Sequence, residues 1–419
     1  MRWRGKDKIG IAVLALLLFL SGTSVPAAAA NPKETLKAAF VRGGDLWIKI
    51  GDQEKRLTNS EDARLPKWSA DGEWIAYAAG EEERELKIAS VTTGGSRTVS
   101  TEADAGYLWS PDRNELAFTV DRTLYAVRPE RPESPTEIAQ GVGDFSWLPD
   151  GKGFIASLAA ELLPEGWTPV KIVEIPWKGH GSPGKARTLR TLPKASDDFF
   201  AVGTSKFKFS ASGKWIAFLA TPTASLSADA NYLCILSADG SVFHSVDQMV
   251  RNEDWFKWAD RGDTLAYVSG VGREAYRNKR LKTIRIPAKG KQAVYTPPGY
   301  SDQGLTWEGV RRIVVSRAAE PAKEDGGIDN RPLPKLAEIE LPGGRARTIA
   351  NPPSGYGDFS PQFWPLEARL VWIRSDRSRA DAMKSGRGGK QPSVWIKSID
   401  LGSNFYGQWN WNEVFAVHS

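Results

Sequence analysis

The 419-residue sequence predicts an all-β protein built as one ring of small four-stranded antiparallel sheets. Three observations carry this reading. A pattern of about ten residues keeps returning: an aromatic, a polar tight turn, then an alternating apolar stretch. Its copies stand mostly 40 to 60 residues apart, the length of a unit of four short strands. Beyond residue 37 no long stretch shows helical periodicity. A sheet this small cannot bury both faces alone, but stacking such sheets in a ring buries all of them, which is the plan of a β-propeller.

The clearest copy is Trp68-Ser69-Ala70-Asp71-Gly72-Glu73-Trp74-Ile75-Ala76-Tyr77. Others begin at Trp109, Trp147, Phe209 and Trp258. Two worn copies begin at Trp307, one residue short, and at Phe363, which lacks Asp-Gly. The seven aromatics are separated by 41, 38, 62, 49, 49 and 56 residues and are expected to pack between neighbouring blades. Asp-Gly supplies the positive-φ turn between two adjacent strands. Ile75-Ala76-Tyr77 then alternates, so its large residues face one side and the alanine the other. A second strand follows in each unit, as at Glu85-Leu86-Lys87-Ile88-Ala89-Ser90 or Thr123-Leu124-Tyr125-Ala126-Val127, and after a Gly- or Pro-containing turn comes a short last strand.

The N-terminal part begins mid-unit. Residues 38–41 and 46–50 read as a hairpin with no preceding front strand. Val394-Trp395-Ile396-Lys397-Ser398 matches Leu46-Trp47-Ile48-Lys49-Ile50, and Trp68 follows Trp47 by 21 residues. The same step from Trp395 reaches Ala416, inside the apolar stretch 413–417. The two ends are therefore expected to share one blade, which removes an open sheet edge. Seven internal units and this composite make eight blades, with seven as the alternative if one worn unit forms none.

The repeat resembles that of TolB-like, WD40-related (PD40-type) propellers, whose signature is W-S-P-D-G-x-x-I-A-F, and the resemblance covers roughly residues 38 to 417. It implies the propeller fold and, since such proteins are known for protein–protein contacts in the cell envelope, a protein-binding or scaffold role. Fold alone does not fix function.

Residues 1–30 read as a secretory signal: a basic start, an apolar core from Ile9 to Leu20, and Ala28-Ala29-Ala30 as cleavage site. An uncleaved anchor is the rival, but the apolar run falls short of the ~20 residues of a span. Residues 31–37 read as a short tether and 38–419 as one propeller domain, exported to the cell envelope or secreted. Removing 1–30 takes the formal net charge from +6 to +3, which leaves no electrostatic case for nucleic acid. Cys234, the sole cysteine, excludes an internal disulfide and reads as a small buried residue.

The sequence shows no catalytic constellation. His180, His244 and His418 are scattered, so no metal site is expected. There is no G-x-S-x-G nucleophile elbow. Gly179-His180-Gly181-Ser182-Pro183-Gly184-Lys185-Ala186 imitates a phosphate loop but carries alanine where Ser or Thr would hold magnesium. Asp71, Asp112 and Asp150 recur a blade apart and are expected to brace turns. No cofactor is expected. Residues 158–168, 176–185, 321–334 and 375–392 read as insertions, the latter two, polar and rich in Gly, Pro and charge, as exposed loops. In these insertions Trp167 and Trp177 are the candidates for glycan stacking or a protein contact, and Arg377, Arg379 and Arg387 for an anionic envelope polymer. Three functions remain: a non-catalytic scaffold binding an unidentified envelope or extracellular protein, a module binding cell-wall glycan, and an enzyme of glycosidase or lyase type with carboxylates in the central channel.

Overall fold

The computed structural model describes residues 35–179, 183–287, 292–321 and 331–418. The expected signal segment lies outside these residues. Strand formation begins at Lys37 and Leu36 is already buried, so the end of the expected tether belongs to the domain.

The described chain forms eight four-stranded antiparallel sheets, the blades of one propeller. Blade 1 consists of Arg64–Trp68, Trp74–Ala79, Glu85–Ser90 and Ser96–Ser100, running from the central channel outwards. Blades 2 to 7 repeat this order, with innermost strands ending at Trp109, Trp147, Phe209, Trp258, Trp307 and Trp364. Both worn copies form complete blades. Blade 8 is the composite: Phe415–Val417 pairs with Lys37–Arg42, which continues to Asp45–Ile50 and Gln53–Arg56. The register sets Phe40 against Phe415, Ala39 against Ala416 and Ala38 against Val417. The ends meet as expected and the ring is closed by sheet hydrogen bonds.

The apolar core is a set of seams between blades. Ile75 and Tyr77 of blade 1 face blade 8 and pack with Ala39, Leu46 and Ile48. Ala76, between them, faces blade 2 and packs with Trp109 and Phe118. The alternation thus puts bulk on one face and leaves room on the other for the next blade's aromatic.

The anchoring tryptophans add a directed bond. Trp109 Nε1 donates to the carbonyl of Lys67 at 2.9 Å, Trp147 Nε1 to Leu108 at 3.0 Å, Trp258 Nε1 to Lys208 at 2.8 Å and Trp307 Nε1 to Lys257 at 2.9 Å. Each acceptor is the residue just before the anchor of the preceding blade. Trp68 Nε1 donates to Ala416 at 3.1 Å, joining blade 1 to blade 8 in the same way. Phenylalanine has no such donor. There the preceding blade offers a hydroxyl instead: Ser146 Oγ accepts from the Phe207 amide at 2.9 Å and Thr306 Oγ1 from the Phe363 amide at 3.2 Å.

The recurring aspartates brace turns. Asp71 accepts from Ser69 Oγ at 2.6 Å and from the Glu73 amide at 3.0 Å, and Asp150 from the Lys152 amide at 3.0 Å. At Gly151, with φ of +68°, an added Cβ would lie 2.0 Å from the Asp112 carboxylate of blade 2, so both the turn and the neighbouring blade require glycine. Cys234 is fully buried, which pushes its thiol pKa far up.

One expected loop is corrected. Residues 375–392 are not an exposed excursion: Ala380–Gly386 and most of Lys390–Ile399 are the two outer strands of blade 7. Of the other insertions, 158–168 holds a small hairpin, Leu162–Leu163 with Gly166–Trp167. Residues 180–182 and 322–330 fall outside the described residues. The phosphate-loop imitation leads into a strand, Arg187–Thr191, and opens no helix.

Candidate binding channel

The innermost strand of a blade has a partner on one side only, and its other edge faces the axis. The channel wall is therefore built of open strand edges that need covering. It encloses about 710 Å³ and runs from Leu65 and Ser360 at one end to Ser69, Ala70 and His418 at the other.

The residue before each anchor occupies one level of the innermost strands, and of these Lys67, Lys257, Thr306, Gln362 and Ala416 line the channel. Around the ring this level reads Lys67, Leu108, Ser146, Lys208, Lys257, Thr306, Gln362 and, in blade 8, Ala416. Two of the lysines reach sideways to the next blade. Lys67 Nζ donates to the Tyr107 carbonyl at 2.9 Å and lies 4.7 Å above the Tyr107 ring. Lys208 Nζ donates to the carbonyls of Glu253 and, at 3.2 Å, Phe256, lying 4.3 Å above the Phe256 ring. They cover open carbonyls with a charge-assisted bond. The Lys257 side chain, third in the series, makes no hydrogen bond and no ion pair within 4 Å, although its carbonyl accepts from Trp307 Nε1.

Four basic side chains line the channel, Lys67, Lys206, Arg251 and Lys257, against two carboxylates, Glu253 and Asp254. Basic side chains thus outnumber carboxylates on this wall. Asp144 lies behind the wall, 3.7 Å from Lys206 Nζ. Burial and the nearby Lys206 charge push Lys67 down to about 7, against the pull of Glu253 and Asp144. Burial pushes Lys208 down to about 8 and lowers Lys257, with Asp254 opposing both. Burial also raises the Asp144 carboxyl and lowers the imidazole of His418, which packs edge-on against Trp68 at 5.4 Å.

A strap crosses one mouth. Between blade 7 and the closing strand, the chain forms a short hairpin, Asn404–Phe405 with Gln408–Trp409, that reaches blade 5. Gln408 Nε2 donates to the Arg273 carbonyl at 2.7 Å, the Ala275 amide to Tyr406 at 3.1 Å, and Arg273 lies 5.3 Å over the Tyr406 ring. Below the strap a narrow recess of about 30 Å³ opens between Trp255, Phe359, Trp409 and Trp411 and shares Asn252, Asp254 and Ser360 with the channel. Trp409 and Trp411 stack at 5.0 Å with 14° between planes. Their indole nitrogens and the Ser316 hydroxyl, all lining the recess, are buried without a hydrogen-bond partner.

The candidates read from the sequence lie elsewhere and are not brought together. Trp167 stands on the hairpin of blade 3, 37% exposed, beside exposed Leu162 and Leu163. Trp177 is corrected: it is only 2% exposed, fills the seam between blades 2 and 3, and donates to the buried Glu115 carboxylate at 3.0 Å. Arg377, Arg379 and Arg387 belong to blade 7. Arg377 donates to the Arg331 carbonyl, Arg379 pairs with Asp376 at 2.9 Å, and Arg387 pairs with Glu308 at 2.7 Å. Lys67, Lys208 and Lys257 were overlooked, although each stands directly before an anchor and is visible as a column once the repeats are aligned. Among the described residues no group of three or more His, Cys, Asp or Glu side chains is placed to hold a metal ion, and no helix is long and apolar enough to cross a membrane.

No protein-family model and no curated protein matches the chain. Among solved structures it is similar to a puromycin-hydrolyzing peptidase of Mycobacterium tuberculosis, at 13% identity and a TM-score of 0.52 over 82% of this chain and 55% of that one. A puromycin hydrolase mutant complexed with PGG gives 13%, 0.51, and the same two shares. TolB from Acinetobacter baumannii gives 19% identity and a TM-score of 0.39 over 60% of this chain and 61% of that one. The chain thus spans less than two thirds of the length of each of these proteins. The two similarities above 0.5 agree with the propeller seen here.

Proposed function

We propose that this chain is an exported, non-catalytic binding propeller that acts as a scaffold in the cell envelope or extracellular space and holds its partner at the central channel. The observation that supports this most is the channel itself. It is a cavity of ligand-binding size in a closed ring, with more basic side chains than carboxylates on its wall, a recess of unpartnered donors opening beside it, and a strap tying the segment before the closing strand to blade 5. A rigid frame with unspent hydrogen-bond donors favours binding, because the ordering cost is met on folding and not on association.

The test is to incubate the chain from Asn31 to Ser419 with detergent-solubilised envelope proteins and with purified cell-wall sacculi, at low and high salt. The reading expects one protein captured in constant proportion, weakened by salt, and no retention on sacculi. Turnover of a saccharide or peptide substrate by the purified chain would overturn it.

A second reading, a cell-wall glycan module, rests on Trp167, whose exposed indole beside Leu162 and Leu163 offers a stacking surface. It expects salt-resistant retention on sacculi that Trp167→Ala abolishes.

A further inference from the structure

We propose that the central channel binds a small multivalent oxyanion, one carrying two or more carboxylate or phosphate groups, held by Lys257 and Lys206 and by the indole donors of the recess under the strap. This deepens the binding reading and rests on the channel being the working site.

The argument is one of unspent donors. Lys67 and Lys208 are engaged with carbonyls of the neighbouring blade. Lys257 occupies the same level one blade further on and has no such bond. Asp254 bears on it from beyond ion-pair distance. Lys206 holds only the 3.7 Å contact to Asp144. In the adjoining recess Trp409 Nε1 and Trp411 Nε1 are buried and unpartnered, and an indole nitrogen can only donate. Ser316 Oγ, also unpartnered there, can donate too. A buried donor left unmade costs about 1–3 kcal/mol, so an acceptor-rich occupant gains at the two indoles and at Ser316, while the Lys257 and Lys206 ammonium groups face it in the channel.

The other occupants fit less well. A cation meets a wall on which basic groups outnumber carboxylates. A neutral sugar leaves Lys257 without a counter-charge. A compact anion fits within the 710 Å³ available, onto which the recess opens beside Asn252, Asp254 and Ser360.

The experiment is isothermal titration of the chain from Asn31 to Ser419 with citrate and, separately, with pyrophosphate. Glucose and sodium chloride of matched ionic strength serve as controls. One saturable site for at least one anion is expected, with no site for glucose. The arm that binds distinguishes carboxylate from phosphate recognition. Lys257→Gln should weaken that binding by about tenfold or more while the unliganded unfolding temperature stays unchanged. Trp411→Phe, which keeps the ring and removes the donor, is the second variant should Lys257→Gln misfold. Heats no larger than the salt control for both anions overturn the proposal, as does full binding by both variants. A partner captured from envelope extract by a chain that binds neither anion sinks this proposal and leaves the scaffold reading standing. Anion binding with no partner captured does the reverse.

Discussion

Five seams of the ring are joined by an indole and two by a hydroxyl, and the difference shows what a blade repeat has to supply. Between blades 5 and 6, Trp307 fills the gap and donates to the Lys257 carbonyl. Between blades 6 and 7, Phe363 holds the anchor position, half-buried and facing the channel, its ring donates nothing, and Thr306 Oγ1 accepts its backbone amide instead. Blade 4 repeats the second arrangement, with Ser146 serving the amide of Phe207, two residues ahead of Phe209. The requirement common to both types is one hydrogen bond beside an apolar plug. Which partner carries it is free to vary, provided that the preceding blade changes in step.

The comparison can be broken most severely by removing the plug. Trp307→Ala is expected to cost about 3–5 kcal/mol, read as a lower midpoint in urea unfolding. Trp307→Phe keeps most of the volume and strands the Lys257 carbonyl, so its cost should fall to about 1–2 kcal/mol. Thr306→Val removes the hydroxyl that serves Phe363 and should cost about 1 kcal/mol in the same assay. If Thr306→Val matched Trp307→Ala, the equivalence of the two seam types would fail.

A further prediction concerns the level just before the anchors. Burial holds Lys67 down at about 7 in the folded chain, against 10.5 for an ordinary lysine. Below 7 both folded and unfolded chains carry this proton, and the penalty of burying the charge is complete. Between 7 and 10.5 the unfolded chain binds a proton that the folded chain does not, so this group makes stability rise with pH. Lys67→Met should remove that rise. Relative to the unsubstituted chain, the variant's unfolding midpoint should stand highest near pH 6 and fall steadily towards pH 10. A difference that stays flat with pH would show that Lys67 titrates as a free lysine.

Much of this ring was legible in the sequence because a blade repeats its constraints. Trp68, Trp109, Trp147, Trp258 and Trp307 each carry the same two tasks, packing and donating, so their spacing survives drift elsewhere. The closing strand was found for an imperfect reason. Val394–Ser398 was matched to Leu46–Ile50, yet the first lies in the outermost strand of blade 7 and the second in the third strand of blade 8. The step of 21 residues still reached Ala416, because the strap adds length where an outer strand had already been passed. Residues 375–392 were misread since outer strands are half exposed and tolerate charge: Asp381 and Lys384 sit in a strand whose Ala382 and Met383 are buried.

The site was less legible for a physical reason. Trp177 stands in a Gly- and Pro-rich insertion, and only the blade 2 carboxylate of Glu115, distant in sequence, explains its burial. The channel depends on residues from distant blades meeting at one level, and no single repeat displays that. Lys67, Lys208 and Lys257 occupy the same column, but what distinguishes Lys257 is the absence of the neighbour's carbonyl from its reach, a property of the closed ring.

The most direct test of the claim that the channel, and not the peripheral loops, is the working site compares two variants in one capture experiment. Lys257→Gln and Trp167→Ala are incubated with the same detergent-solubilised envelope extract as the unsubstituted chain, and the captured protein is quantified. The account predicts that Lys257→Gln loses most of the captured partner and that Trp167→Ala retains it. Retention by Lys257→Gln together with loss by Trp167→Ala would move the site to the blade 3 hairpin and contradict the account.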